Sequence, residues 1–316
     1  MNDVRRRFGG RFLLIWCGRF ATQEPGRPAA TFLQRPRPAA IDETQFGQDA
    51  DAMKTTNATV QTLYRYPVKG FSGESLARVR LAAGGTFPFD RAYAIENGPS
   101  GFDPAAPAYF PKIRFLMLMR NEAVAEYRTR FDDETGIFTV AKEGRDLIAA
   151  CLVDADGRAA LEAWAAEAFR DVLRGPPRVL SAEGHSFSDV AAKVVHLINL
   201  ESVRALEAAI GRPVDPRRFR ANIVIDGAPA FAELEWASGG LAIGGAAFEG
   251  TKRTGRCAAT NVDPATAQRD MDIPAALVGL CGHKDFGVYL SVTEGGEIAV
   301  GDTVTRREPE QGALVV

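Results

Sequence analysis

One cysteine in the C-terminal half of the chain stands among residues that would make its thiol reactive. Three cations lie within five residues of Cys257 in the sequence: Lys252, Arg253 and Arg256. Positive charge favours the thiolate, which acts as a nucleophile, as a redox sensor or as a ligand for a soft metal. The nearby Gly255 would let the backbone approach a ligand closely. These residue types also allow a fourth role, in which Cys257 is a small buried hydrophobic residue.

Three other groups have side chains that could take part in chemistry. Asp263 is the nearest carboxylate after Cys257 and could relay a proton to a reduced substrate, although Asp before Pro more often caps a turn. Cys281 and His283 are zinc-ligand types, but their spacing fits no zinc pattern, so we expect a core cysteine and a loop histidine. His196 lies in an apolar run and is predicted to be a hydrogen-bonded core histidine.

Charge and cysteine content narrow the classes of partner and compartment. The 38 basic and 40 acidic residues leave a net charge of -2, which removes the broad electrostatic reason to expect binding to nucleic acid or to an anionic membrane. The four cysteines are too few and too scattered for a secreted disulfide framework, which favours a reducing, cytoplasmic location. No apolar run approaches the roughly twenty residues of a membrane span.

The first 56 residues are predicted to lie outside the fold. Residues 1–52 are rich in Arg, Pro, Gly and Ala and show no helical or strand period. Organelle transit peptides are usually Ser-rich and amphipathic as well, so a disordered tail, or an extension upstream of a start at Met53, is favoured over targeting.

The elements that must position Cys257 follow from periodicity and turn residues. Residues 60–66 and 77–81 are strand-like, and turn residues recur over the next eighty positions. Residues 157–175 predict one amphipathic helix with Trp164 in the core. A second helix is predicted to begin at the N-cap Asn199 and to stop at Gly211. Further short strands are predicted at residues 222–225, 241–243, 286–292 and 298–300.

These elements predict a mainly β fold of the α+β class. We expect two β-barrel-like units of short antiparallel strands with a few covering helices, the first over residues 57–180 and the second over residues 181–310.

Several segments, in order and spacing, resemble the MOSC family, whose name refers to the C-terminal domain of molybdenum-cofactor sulfurase. The segments in the second unit are RFRANIVI (218–225), AELEW (232–236), LAIG (241–244), RC (256–257), NVDP (261–264), DFGVY (285–289) and VGD (300–302). In the first unit, LYRYPVKG (63–70) and FDRAY (89–93) resemble the β-barrel domain that precedes MOSC in the mitochondrial amidoxime-reducing component and its bacterial relatives. The resemblance covers roughly residues 57–307.

The resemblance implies a molybdenum cofactor and a role for each matching residue. Cys257 would be the protein thiolate that binds molybdenum, whose other sulfur ligands come from the dithiolene of a pterin. The family's phosphate and pterin contacts correspond to Lys69, Arg91, Arg220 and Asn222, and Thr254, Gly255 and Arg256 flank the thiolate. Lys69 in a turn and Arg91 paired with Asp90 are the purely structural alternatives. Gly70 stands where many relatives have serine, so its backbone amide would replace a hydroxyl contact.

The implied activity is the reduction of N-hydroxylated small molecules with electrons from a separate ferredoxin- or cytochrome-type protein. The four cysteines lack the spacing of an iron–sulfur site, which is why the donor must be separate. Two alternatives stay open: a non-catalytic carrier of the cofactor or of sulfur that uses Cys257, and a metal-free redox sensor. Pyridoxal phosphate binding is implied only by association with the wider family.

Overall fold

A computed structural model describes residues 58–307 of the chain, and the predictions for residues 1–56 lie outside them. Strands provide most of the regular structure. They are β1 (Ala58–Arg65), β2 (Glu74–Leu76), β3 (Arg78–Leu81), β4 (Ala94–Ile95), β5 (Arg128–Phe131), β6 (Ile137–Lys142), β7 (Arg145–Cys151), β8 (Val179–Leu180), β9 (Val195–Asn199), β10 (Ile223–Asp226), β11 (Gly240–Ile243), β12 (Ala246–Gly255), β13 (Asp285–Glu294), β14 (Gly296–Ala299) and β15 (Thr303–Arg307). The α-helices are α1 (Ala155–Ala168), α2 (Leu200–Ile210) and α3 (Ile273–Cys281).

Seven of these strands close into a barrel. The order around it is β1-β10-β9-β13-β12-β11-β15, and β15 pairs again with β1. Neighbouring strands are antiparallel except β9 and β10, which are parallel and are joined through α2. Strand β1 belongs to the first predicted unit but pairs with β10 and β15 of the second. The barrel therefore needs strands from both units.

The inward side chains of the barrel form an apolar core. Along β1 the buried positions Val60 and Leu63 flank a bulge in the pairing with β10, where their partners are Ile225 and Ile223. Phe248 of β12 is also fully enclosed in this cluster. Burial of such side chains contributes about 1.5–3 kcal/mol each, which is the main stabilisation of the closed sheet.

A three-stranded antiparallel sheet, β5-β6-β7, carries helix α1 on one face. Trp164 of α1 packs against Phe71 and Phe169, and Phe71 also meets Phe138 edge to face. The predicted helix is present but ends at Ala168, and Trp164 is partly buried against the apolar cluster where a core position was predicted. The α+β, mainly β fold is confirmed, with one closed barrel among the described residues and this open sheet in place of a second barrel.

Helix α2 has the ends that the sequence predicted. The Asn199 side chain accepts a hydrogen bond from the Glu201 amide, and Gly211 ends the helix in the left-handed conformation at φ 75°. Strand β12 and helix α3 had no counterpart in the prediction. The pairing of β12 with β13 is interrupted by irregularities such as the one between Gly250 and Lys252, so its sequence lacks a sustained alternation. No helix within residues 58–307 is both long and apolar enough to cross a bilayer.

Candidate functional site

A cavity of about 290 Å³ is bordered by strands β9, β12 and β13 and by loops from the earlier part of the chain. Its lining is strongly cationic. The basic residues are Lys69, Arg91, Lys112, Arg218, Arg220, Lys252, Arg253 and Arg256, and the acidic ones are Asp90 and Asp189. Such an excess of positive charge in a concave site attracts anions. Cys257 is part of the same lining.

Cys257 is held just beyond the end of β12. It starts a single 3₁₀ turn, Ala258–Asn261, and its carbonyl accepts hydrogen bonds from the Thr260 amide at 3.0 Å and the Thr260 hydroxyl at 2.9 Å. The side chain is half-buried. The Lys112 amine donates to the sulfur at 3.4 Å. A fixed backbone and an adjacent cation therefore present this sulfur to the cavity.

Asp189 joins two lysines beside that sulfur. One of its oxygens accepts from Lys69 at 2.6 Å and the other accepts from Lys112 at 2.9 Å. Burial by itself raises the pKa of the Asp189 carboxyl, but Lys69 and Lys112 outweigh it and hold that pKa well below its usual range. Burial lowers the pKa of Lys69, and Asp189 opposes this. The carboxylate thus fixes two cations that reach the cavity from distant parts of the chain.

Arg91 and Arg220 both pack on the ring of Tyr66. The guanidinium carbons lie 4.8 Å and 4.3 Å from its centroid. Arg91 pairs with Asp90, as its structural alternative predicted, and also donates to the Arg220 carbonyl at 3.0 Å. Arg220 donates to the Phe71 carbonyl at 2.6 Å. Burial lowers the pKa of Arg220 to about 10, and repulsion from Arg91 adds to the effect.

Arg256, next to the cysteine, is oriented by two groups. It donates to the Phe219 carbonyl at 2.7 Å, and its Nη1 lies 3.3 Å from Nε2 of His196. Burial lowers the pKa of His196 well below its usual value, with Arg256 and Arg91 adding to the shift, so the ring is neutral and can accept this hydrogen bond. The Nε of Arg256 is buried without a partner among the described residues.

Two further predicted residues line the cavity in different ways. Thr254 is 3% exposed, and its hydroxyl has no hydrogen-bond partner among residues 58–307. Asn222 uses its side chain for the fold, since its amide donates to the Tyr64 carbonyl and its oxygen accepts from the His196 amide, both at 3.2 Å. An unpartnered buried hydroxyl costs about 1–3 kcal/mol, so Thr254 is the better candidate for a ligand contact.

Two family profiles match the chain. Residues 57–169 match the MOSC N-terminal beta barrel domain, and residues 182–305 match the MOSC domain. The chain belongs to the MOSC-domain family. Among curated proteins, it is 33% identical over 124 residues to mitochondrial amidoxime reducing component 2 of Rattus norvegicus, which covers 35% of this chain and 36% of that protein.

The chain is also similar, over shorter stretches, to proteins named molybdenum cofactor sulfurase. Molybdenum cofactor sulfurase of Danio rerio is 40% identical over 77 residues, or 24% of this chain and 9% of that protein. The Drosophila grimshawi sulfurase is 35% identical over 117 residues, or 34% of this chain and 15% of that protein. The similarity thus spans about a third of the rat protein and smaller shares of the sulfurases.

One predicted residue of the MOSC domain lies apart from the cavity. Asp263 is absent from the residues that line it. One of its oxygens accepts from the amides of Ala265 and Thr266, at 2.6 Å and 3.3 Å, and the other pairs with Arg218 at 3.2 Å. Asp263 therefore caps a turn and holds a buried arginine, and the structure does not bring its carboxylate to Cys257 for the predicted proton relay.

Gly255 and Arg253 also line the cavity. A side chain at Gly255 would meet only Asp285, at an ordinary 3.5 Å, so any need for glycine would have to come from a bound ligand. Arg253 pairs with Glu235 and donates to the Leu234 carbonyl at 3.1 Å.

Sequence reasoning missed several cavity residues of this MOSC protein. His196 and Tyr289 are cross-strand partners on β9 and β13, and Lys252 on β12 is the next partner of Tyr289. Tyr289 lies in a segment that carried the family resemblance, so pairing β13 with its neighbours would have placed it here. Lys112 and Asp189 lie in irregular segments and carried no signal.

Within residues 58–307 no group of three or more His, Cys, Asp or Glu side chains is placed to hold a metal ion. Cys281 is half-buried against the cluster that includes α2 and α3, and a ring nitrogen of His283 accepts from the Asp285 amide at 3.2 Å. A metal at Cys257 would therefore need most of its ligands from a bound cofactor.

Proposed function

We propose that this MOSC protein binds a molybdenum cofactor through Cys257 and reduces N-hydroxylated small molecules with electrons from a separate redox protein. The observation that carries the proposal is the placement of one half-buried thiol in the same cavity as Lys69, Arg91 and Arg220. Relatives named for amidoxime reduction and for molybdenum cofactor sulfuration support it.

The cavity fits an anionic, sulfur-rich group. A soft thiolate suits a metal that already has sulfur ligands. Because no three His, Cys, Asp or Glu side chains among the described residues are grouped to hold a metal, a cofactor would supply most of the other ligands. The unpartnered Thr254 hydroxyl and Arg256 Nε are buried polar groups that a pterin edge would satisfy.

Each residue has a definable role in that binding. Arg91 and Arg220 would offer planar donors to phosphate oxygens, while Lys69 would act as a point charge whose direction Asp189 fixes. Lys112 hydrogen-bonds the Cys257 sulfur and so orients the ligand. When bound, the cofactor would supply a two-electron centre able to accept an oxygen atom.

Reduction of a hydroxylamine to an amine consumes two electrons and two protons and releases water. Asp263 is not positioned to provide either proton. Lys112 and Tyr289 line the cavity and carry exchangeable protons, so we assign the proton supply to them. Electrons would come from a partner of ferredoxin or cytochrome type, because the described cysteines form no cluster site.

The test of cofactor binding compares three proteins made in a host that synthesises the cofactor. Wild type is expected to hold close to one molybdenum and one pterin per chain, and Cys257→Ala to lose the metal. Cys281→Ala is the matched control, because it removes a half-buried thiol outside the cavity and should keep the metal. Wild-type protein without molybdenum would contradict the proposal.

A second measurement addresses catalysis. Loaded wild-type protein is given a reduced ferredoxin or cytochrome and an amidoxime or hydroxylamine, and amine formation is followed. Turnover that is lost in Cys257→Ala supports the reductase. Full loading without turnover with either donor would replace it by a cofactor carrier.

A further inference from the structure

A second pocket, of about 60 Å³, borders the first. It shares Gly70, Leu118, Arg218 and Arg220 with the cavity but excludes Cys257 and Lys112. Tyr66, Ser72 and Arg128 belong to its lining and not to that of the cavity. This surface, called the Tyr66 pocket below, is formed by residues of both matched domains.

The charge of the Tyr66 pocket is unbalanced. Its lining contains four arginines and no carboxylate: Arg128, Arg217, Arg218 and Arg220. Two of them have carboxylate partners, since Arg217 pairs with Asp215 and Arg218 with Asp263. Arg128 and Arg220 form no ion pair within residues 58–307 and donate to backbone carbonyls instead. Two cations therefore face this pocket without a fixed counter-charge.

The Tyr66 hydroxyl is an unused donor in the same place. Tyr66 is 2% exposed, and its hydroxyl has no hydrogen-bond partner among the described residues. Its ring cannot easily turn away, because a methyl group on Gly73 would already lie 2.5 Å from its Cε1 and the two cations Arg91 and Arg220 pack on it. Burial raises the pKa of Tyr66 to about 12, so the group stays protonated.

From this arrangement we infer that the Tyr66 pocket binds a small oxyanion, held by the Tyr66 hydroxyl and by the charges of Arg128 and Arg220. Water alone would satisfy the hydroxyl but would leave Arg220, whose pKa is lowered by burial and by repulsion from Arg91, without a counter-charge. Arg128 is exposed and adds a second positive charge at the rim of the pocket. The volume admits a group as small as phosphate. The anion is a free one such as inorganic phosphate, separate from the cofactor phosphate that the proposed function assigns to the neighbouring cavity.

Tyrosine resonances give a separate reporter for each pocket. With ¹³Cζ-labelled tyrosine, the Tyr66 signal is the one absent from Tyr66→Phe, and the Tyr289 signal, absent from Tyr289→Phe, reports on the cavity. Inorganic phosphate is added to cofactor-free protein at ionic strength held constant with chloride. We expect a saturable shift of the Tyr66 signal that chloride does not produce.

Variants then assign the anion to the Tyr66 pocket. Arg128→Gln should weaken the phosphate affinity seen at Tyr66 about tenfold, as expected for a lost charged donor, and Arg128→Lys should restore most of it. Arg130→Gln is the matched control, because it removes another exposed arginine of the same strand that does not line the pocket, and Lys112→Gln removes a cation of the cavity alone. Both should change the affinity less than twofold.

Three results would overturn the inference. The first is a Tyr66 signal that does not move, or that moves with chloride as well. The second is a Tyr66 shift that follows Tyr289 and weakens in Lys112→Gln, since phosphate would then bind only in the cavity. The third comes from the titration of cofactor-loaded protein: a retained shift means a separate anion site, whereas a signal already shifted before phosphate is added means that the pocket belongs to the cofactor's own phosphate site. The first two results do not depend on the molybdenum content.

Discussion

The cavity around Cys257 and the aromatic layer between α1 and the β5-β7 sheet are built in opposite ways. The layer is mostly local and apolar, since Phe138 and Trp164 lie within 30 residues of each other in sequence and in one cluster. The cavity collects charged side chains from residue 69 to residue 256. Its contacts, such as Lys112 to Cys257, join residues 145 positions apart.

This difference in construction implies that the aromatic layer mainly stabilises the fold and that the cavity mainly binds a ligand. In the aromatic layer, apolar burial stabilises the folded state. In the cavity, neighbouring cations such as Arg91 and Arg220 repel each other, and an anionic ligand would reduce that repulsion. Substitutions in the layer should therefore change the free energy of unfolding and leave binding intact. Substitutions in the cavity should do the reverse.

The largest effect is expected for Phe138→Ala in the aromatic layer. Phe138 is fully buried against Phe71, so its loss leaves a void and should lower the free energy of unfolding by about 3–5 kcal/mol. Urea unfolding measures this change. Leu147→Ala, at a position 47% exposed in the same sheet, should cost less than about 1 kcal/mol. A fall in molybdenum per folded molecule of Phe138→Ala would contradict this comparison, because the layer would then also affect binding in the cavity.

The next effect concerns Glu233, a carboxyl group buried outside both regions. Burial raises the pKa of Glu233 to about 7, although the Ser202 hydroxyl donates to it at 2.8 Å. The folded state thus binds the proton more tightly than the unfolded state, whose pKa is near 4.5. The stability from this group is complete below about pH 4.5 and is lost as the pH rises through about 7.

Glu233→Gln should remove that pH dependence. At pH 8 the variant is expected to be more stable than wild type by roughly 3 kcal/mol, since one pKa unit corresponds to about 1.4 kcal/mol, and at pH 5 the two should be nearly equal. Urea unfolding from pH 5 to 8 tests this. Glu235→Gln, on the exposed neighbour, serves as the control. Equal stability of the variant and wild type at pH 8 would show that ionisation of Glu233 does not destabilise the folded state.

A cavity substitution, Lys69→Met, should affect binding more than folding. It removes one of the two cations held by Asp189, so retention of the cofactor is expected to fall about tenfold, the effect of one lost charged hydrogen bond. Molybdenum content after dilution measures it. Lys252→Met, an exposed cation of the same cavity, should change retention less than twofold. Equal losses in both would mean that total charge, rather than the buried lysine, governs binding.

The smallest effect is expected at the start of α1. The Asp154 side chain accepts a hydrogen bond from the Gly157 amide at 2.6 Å and caps the helix. Asp154→Ala should cost about 1 kcal/mol, and Asp154→Asn, which keeps a capping oxygen, clearly less. Thermal unfolding compares the two variants. An equal loss of stability in both would show that the Asp154 charge, rather than its capping oxygen, stabilises the helix.

Local patterns were enough to predict several of the elements with an apolar face. The alternation in β1 and β3, the Asn199 cap of α2 and the apolar stripe of α1 each depend on residues within one element. Strand β12 was missed because its irregular pairing interrupts the alternation, yet it is the strand that delivers Cys257.

Local spacing singled out Cys257 and the cations beside it, and family resemblance marked most of the other predicted site residues. Lys69, Arg91, Arg220, Thr254 and Cys257 were named in this way, and all line one cavity. Lys112 and Asp189 were missed because their partners are more than 70 residues away in sequence. Asp263 was placed near the thiol by sequence distance, whereas the turn after Cys257 directs it to Arg218 instead.

The closure of the barrel by β1 also constrains how this protein can be divided. A fragment that begins at residue 182, where the MOSC profile starts, would lack the strand that pairs with both β10 and β15. Two edges with unpaired backbone groups would then be open to pairing with other chains, which is a route to aggregation. A recombination event that separated the two matched domains would therefore leave this chain with an incomplete barrel.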